Sequence, residues 1–114
     1  MRVELPNDHW VEVRDRLKAR DKVEVHRAVT FTIGGSGGSQ EVSAVIQDEM
    51  RQAFLAQIIT SWSYTEREGW PIPANNPGGS GILGELDLDE YNALSLGIED
   101  LFQKVSFSGG SSPN

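Results

Sequence analysis

Residues 42–62, VSAVIQDEMRQAFLAQIITSW, restrict the fold more than any other stretch of the chain. Val42, Val45, Ile46, Met50, Ala53, Phe54, Ile58, Ile59 and Trp62 recur at spacings of three and four. That is the period of a helix with one broad buried face. Leu55 joins Ile58, Ile59 and Trp62 to widen the stripe in the last two turns, which predicts cover from two sides. The pattern therefore predicts a long central helix over 40–62, running into an aromatic, proline-stiffened turn at Tyr64–Pro73. A chain of 114 residues can close one modest core around such a helix, and 1–105 reads as a single small domain.

Several function classes fall away on composition. The absence of cysteine excludes disulfides, thiol catalysis and thiolate metal sites. No apolar run approaches the ~20 residues needed to span a bilayer, and MRVELPNDHW lacks the apolar centre of a signal peptide, so a cytoplasmic protein away from membranes is expected. The net charge of −7 is unevenly placed. Residues 1–34 carry seven Lys/Arg against six Asp/Glu, whereas residues 35–114 carry three against eleven. An acidic surface repels a phosphate backbone. Arg14, Arg16, Lys18, Arg20 and Lys22 alternate along the chain, but Asp15 and Asp21 interrupt them and no aromatic residue is interleaved for base stacking. Nucleic acid is not the expected partner.

Alternation over Val3–Leu5 and Trp10–Arg14 around Pro6-Asn7-Asp8-His9 predicts a β-hairpin over 2–14. Either Trp10 or the pair Val11 and Val13 would face the core. Residues 19–33 are ambiguous. Val23, Val25, Val29, Phe31 and Ile33 alternate as in a strand, while Asp21 as a cap and Val25, Ala28, Val29 and Thr32 as a stripe describe a helix. Gly34–Ser39 has the composition of a flexible linker and lacks the Gly-Lys-Ser/Thr of a phosphate loop. Ser39 offers a cap for the central helix, with Glu41 in its first turn. Residues 75–81 read as a loop. Asp87 and Glu90 then form a capping box, stapled by Leu86 and Tyr91, that opens a helix over 87–105. Leu88, Tyr91, Leu94, Ile98, Leu101 and Val105 give this helix a narrow seam, and Gly97 within it either admits a close neighbour or weakens the helix. Residues 106–114 read as a disordered tail.

No residue presents itself as catalytic. His9 and His26 lack a carboxylate or second histidine at ligand spacing, and surface or turn roles are expected for both. Asp87, Asp89 and Glu90 lack the glycine and distal glutamate of a calcium loop. Glu66 and Glu68 have no adjacent base, and Ser61 and Ser63 have no nucleophile-elbow pattern. No cofactor or metal is expected. Trp62, Tyr64, Trp70 and Ile72 are different: four large side chains flanking a short charged turn are the usual material of a binding hot spot. The alternative is a loop folded back to plug the core.

Taken in order, these pieces resemble the tail assembly chaperones of long-tailed bacteriophages, particularly the small ones of phages infecting actinobacteria. The carrying residues are Trp10–Arg14, Lys18–Lys22, Met50–Trp62 with its Ile-Ile-Thr-Ser-Trp ending, Pro71-Ile72-Pro73, and Leu86–Leu94. The resemblance spans residues 3–105 as an order of patterns; Gly34–Ser39 and Gly78–Gly81 lie outside it. It implies a mainly α (α+β) fold, a hairpin followed by three helices, and so a helix at about 20–32. It also implies a protein of the host cytoplasm that binds the tape-measure protein while tail-tube subunits polymerise around it, the short form of a frameshifted pair. Trp62, Tyr64, Trp70 and Ile72 would meet those partners, and self-association through a Tyr91–Val105 helix is a further expectation. A tail or head–tail component retained in the virion, and a host-directed protein-binding module, are the alternatives.

Overall fold

The computed structural model describes residues 1–33 and 40–105, with side chains at 1–28 and 46–105. The chain forms a small α+β domain in which helices cover a three-stranded antiparallel sheet. Strands β1 (Arg2–Glu4) and β2 (Trp10–Val13) make the expected hairpin. Asn7 and Asp8 at its tip both have φ of 63°. Two positive φ values in succession suit hairpin twist, and Asn and Asp tolerate that conformation better than most residues. Val3, Leu5, Val11 and Val13 point into the core, while Trp10 stays on the outer face with the Arg2 guanidinium 4.1 Å above its ring.

Helix α1 (Ala19–Ile33) resolves the ambiguous segment. The helical period puts Val25 in the core and leaves Val23 half exposed, which strand alternation would not do. Asp21 sits in its first turn and accepts the Lys18 N–H at 2.7 Å, satisfying a donor at the helix start. Helix α2 (Gln40–Ile58) lies along α1 and buries Met50, Phe54, Leu55 and Ile58. Gly34–Ser39, with the cap expected at Ser39, and the 106–114 tail lie outside the residues whose structure is described, as does the Glu41 side chain.

The central helix is shorter than the 40–62 expectation. It stops at Ile58, and residues Ile59–Trp62 become β3, which pairs with β2. The β-branched run Ile58-Ile59-Thr60 suits either state, and the partner decides between them. The Arg14 N–H donates to the Ile58 carbonyl at 2.8 Å and its guanidinium to the Gln57 carbonyl at 3.1 Å, filling acceptors that a helix end leaves open. Glu12 opposes Ser61 and Val13 opposes Ile59, so Thr60 is an extra, bulged residue. The bulge lets Ile59 and Trp62 both face inward although they are three residues apart.

The remainder wraps this core in short pieces: α3 (Tyr64–Arg67), a 3-10 turn at Pro73–Asn75, α4 (Ser80–Leu83), α5 (Leu88–Gly97) and α6 (Glu99–Val105). Residues 75–81 are therefore partly structured rather than a plain loop. The helix expected over 87–105 is two helices that meet at Ile98, so no continuous Tyr91–Val105 helix exists for self-association. Gly97 lies at a close approach of α5 to β1: a Cβ there would lie 2.5 Å from Val3 Cγ1, so glycine fits this contact. The bend carries Phe102 against Phe54, ring centroids 5.7 Å apart. Among the described residues no helix is long and apolar enough to cross a membrane.

Candidate functional site

Three segments far apart in sequence meet beside β3: the hairpin tip at 7–9, the turn at 63–70, and the start of α5 at 85–90. Together they line a concavity of about 300 Å³ whose walls include His9, Tyr64, Trp70, Glu68, Asp87 and Glu90.

The geometry begins with Ser63, which follows β3. Its hydroxyl accepts the Trp10 N–H at 3.0 Å and lies 2.8 Å from His9 Nδ1. The other imidazole nitrogen is 3.3 Å from a Glu68 oxygen. The ring is stacked on Tyr64 with centroids 4.1 Å apart. Of the surface or turn role expected for His9, the turn half holds: it ends the hairpin turn but is buried and hydrogen-bonded, and Glu68 does have a basic partner. The order Ser63–His9–Glu68 has the residue types of a nucleophile relay. Ser63, however, is only 2% exposed and its oxygen is taken up by the β2 backbone, so a substrate carbonyl has no approach to it. Its role is to tie the hairpin to β3.

Glu90 is the second centre. It projects from the first turn of α5, and the expected capping box does not form: Asp87 makes no side-chain cap bond, and Glu90 reaches away from its own helix. One oxygen accepts the Tyr64 hydroxyl at 2.5 Å and the other the Asn7 amide at 2.8 Å. Burial acts to raise its carboxyl, but the Asn7 and Tyr64 bonds and nearby His9 outweigh burial and hold it below the ordinary carboxylate range. Burial, the bond to Glu90 and the surrounding acids push the Tyr64 phenol far upward. Tyr64 thus remains a proton donor to a charged Glu90 at any ordinary pH and cannot serve as a base.

Trp70 closes one wall. Its indole is stacked on Tyr64 at 5.3 Å and tilted against Trp62 at 6.1 Å. Of the four residues expected at a partner surface, Trp62 and Tyr64 are enclosed at 0% and 1% exposure, and only Trp70 and Ile72 keep accessible surface. The correction has a simple cause: β3 turns Trp62 inward, and the Glu90 bond holds Tyr64 beneath Trp70. His9, Asn7, Glu68 and Glu90 were not legible as a group, because their neighbourhood exists only once the hairpin and α5 dock. Among the described residues, no group of three or more His, Asp or Glu is disposed to hold a metal ion.

Compared with family models, curated proteins and solved structures, the chain matches none.

Proposed function

We propose that the protein is a non-catalytic, protein-binding assembly factor, and specifically a bacteriophage tail assembly chaperone acting in the host cytoplasm on the tape-measure and tail-tube proteins. The observation that carries the protein-binding reading is Trp70. Its indole is held in place by two aromatic neighbours yet is only partly buried, beside an Ile72 that is also only partly buried. A large amphipathic ring fixed before binding loses little freedom when a partner covers it, the usual property of a hot spot. The specific tail role comes from the sequence resemblance, and the acidic second half of the chain supports a holder that stays soluble while exposing apolar side chains.

Co-expression with the tape-measure and tail-tube proteins of a long-tailed actinobacteriophage, followed by pulldown, tests the reading. Both should be captured, and Trp70→Ala should weaken capture by ~2 kcal/mol or more while the domain still folds. Trp62→Ala, which empties a core site, should instead cost ~3–5 kcal/mol of stability. Mass spectrometry of purified virions should find the protein absent; its retention would favour a structural tail component, and capture of a host protein alone would favour a host-directed module.

A further inference from the structure

We propose that α5 carries a second docking surface, shaped and charged for a basic amphipathic helix of a partner protein. The proposal rests on the protein-binding reading above but not on its tail-specific form. Leu88 is 70% exposed and Leu96 78%, the two most exposed large apolar side chains among the described residues. They stand eight residues apart on one helix with exposed Asn92 midway, so the three form a row along a single face. Eight residues of helix span about 12 Å, a ridge suited to packing against another helix.

A groove adjoins the row. It has a volume of about 460 Å³ and is lined by Leu83, Leu86, Leu88 and Tyr91, with Asp48 and Gln52 contributed by α2. Leu86 also lines the acidic concavity, so the two depressions share a wall.

Charge selects the occupant. From Gly69 to Gln103 the chain carries Glu85, Asp87, Asp89, Glu90, Glu99 and Asp100 and no Lys, Arg or His. The nearby cation of α2, Arg51, is already engaged by Glu99 at 3.2 Å and by Asp48 at 4.0 Å. A leucine ridge flanked by the exposed carboxylates of Asp87 and Asp89 attracts an apolar stripe flanked by Lys or Arg. A second copy would bring the same carboxylates against these, and an anionic bilayer surface would be repelled. A basic helix satisfies both the leucines and the carboxylates.

The test uses the full chain and two short synthetic helical peptides with the same leucine stripe, one with lysine flanks and one with glutamate flanks, read by fluorescence anisotropy. The lysine peptide should bind, more weakly as salt is raised, and the glutamate peptide should not. Leu88→Ser combined with Leu96→Ser should weaken binding about tenfold or more with the melting curve unchanged, because both side chains are exposed. Val23→Ser, at an exposed apolar position on α1, should bind as the wild type does. Equal affinity of the double variant, or binding of the glutamate peptide, overturns the proposal. A wild-type dimer in sedimentation that the double variant abolishes also overturns it, since the occupant is then a second copy. If the lysine peptide binds while the tail proteins are not captured, the tail reading alone fails; if the tail proteins are captured through Trp70 while the peptide does not bind, the α5 surface alone fails.

Discussion

Asp21 and Glu90 are both carboxylates at the first turn of a helix and both are buried, at 0% and 4% exposure, yet they are kept charged by different means. Asp21 is closed by a cation. Arg14 meets it with two guanidinium bonds, at 3.0 and 2.7 Å, and the Lys18 N–H adds a third. Glu90 is held by two neutral donors, Tyr64 and Asn7, and the basic group that acts on it is the imidazole of His9. The first arrangement cancels charge locally and joins β2, α1 and the end of α2. The second leaves a net negative field in a concavity that opens between elements. Burial of an acid thus reports structure in one place and a potential binding surface in the other; the identity of the partner decides which.

The largest effect that separates the two should come from Arg14→Ala. It leaves a fully buried carboxylate without its cation and also removes the donor to the Gln57 carbonyl. Breaking a buried pair from one side costs ~3–5 kcal/mol, so urea unfolding should move strongly to lower denaturant. A loss below about 1 kcal/mol would mean that water replaces Arg14, and the contrast with Glu90 would collapse.

Tyr64→Phe should cost less, about 1.5–3 kcal/mol, the range for a hydrogen bond to a charged group. Phenylalanine keeps the stacking on His9 and Trp70, so tryptophan fluorescence should change little while the unfolding midpoint falls. If stability is unaffected, the Tyr64 bond is not what holds Glu90 at the concavity.

The fold was legible where one physical pattern had one solution. The 3.6-residue period of 46–58 could only be a buried helix, and the alternation of Val3, Leu5, Val11 and Val13 around a Pro-Asn-Asp turn could only be a hairpin. Gly97 left a choice between a close neighbour and a weakened helix, and Val3 is the close neighbour. Legibility ended where a partner distant in sequence chose between local states. Ile59–Trp62 continued the helical stripe, and only Arg14 and the free edge of β2 made it a strand. Glu90 had the spacing of a capping box, but Tyr64 and Asn7 offered it better donors than its own helix start. For the candidate site, Trp70 and Ile72 could be picked out as large apolar residues next to prolines. His9, Ser63 and Glu68 could not, since no spacing in the chain encodes a contact between residues 9 and 63.

Acid titration gives the next comparison. Asp21 feels burial, which raises its carboxyl, but the Arg14 and Lys18 bonds and the Arg14 and Arg20 charges outweigh burial and hold it below the ordinary carboxylate range. Glu90 is also lowered. For both, the folded value lies below the unfolded one. Their stabilisation is therefore present above the ordinary carboxylate range near ~4 and is lost as pH falls through the folded values. A tenfold difference in a carboxyl's proton affinity between the folded and unfolded chain is worth about 1.4 kcal/mol. Glu90→Gln should remove its share of this acid loss. Arg14→Ala should remove the larger part of Asp21's share, because the Lys18 N–H and the Arg20 charge are then all that oppose burial. Urea unfolding from neutral pH down to the acid limb, in both variants, reads the difference; parallel curves would show that the two carboxylates are held alike.

The smallest effect should come from Asn7. Its amide supplies the second bond to Glu90, but the residue is exposed at the hairpin tip, where water can take over as donor. Its φ of 63° complicates substitution, because alanine would add backbone strain to the lost bond. Asn7→Gly removes the amide and keeps the conformation, so it isolates the bond. A loss of about 0.5–1 kcal/mol is expected for a partly exposed hydrogen bond of this kind. Asn7→Ala should then lose more than Asn7→Gly, the difference being the strain at positive φ. If the glycine variant instead falls as far as Tyr64→Phe, both bonds to Glu90 are equally enclosed. The concavity would then be a sealed structural pocket like the one around Asp21, and the acidic wall would no longer be available to a partner.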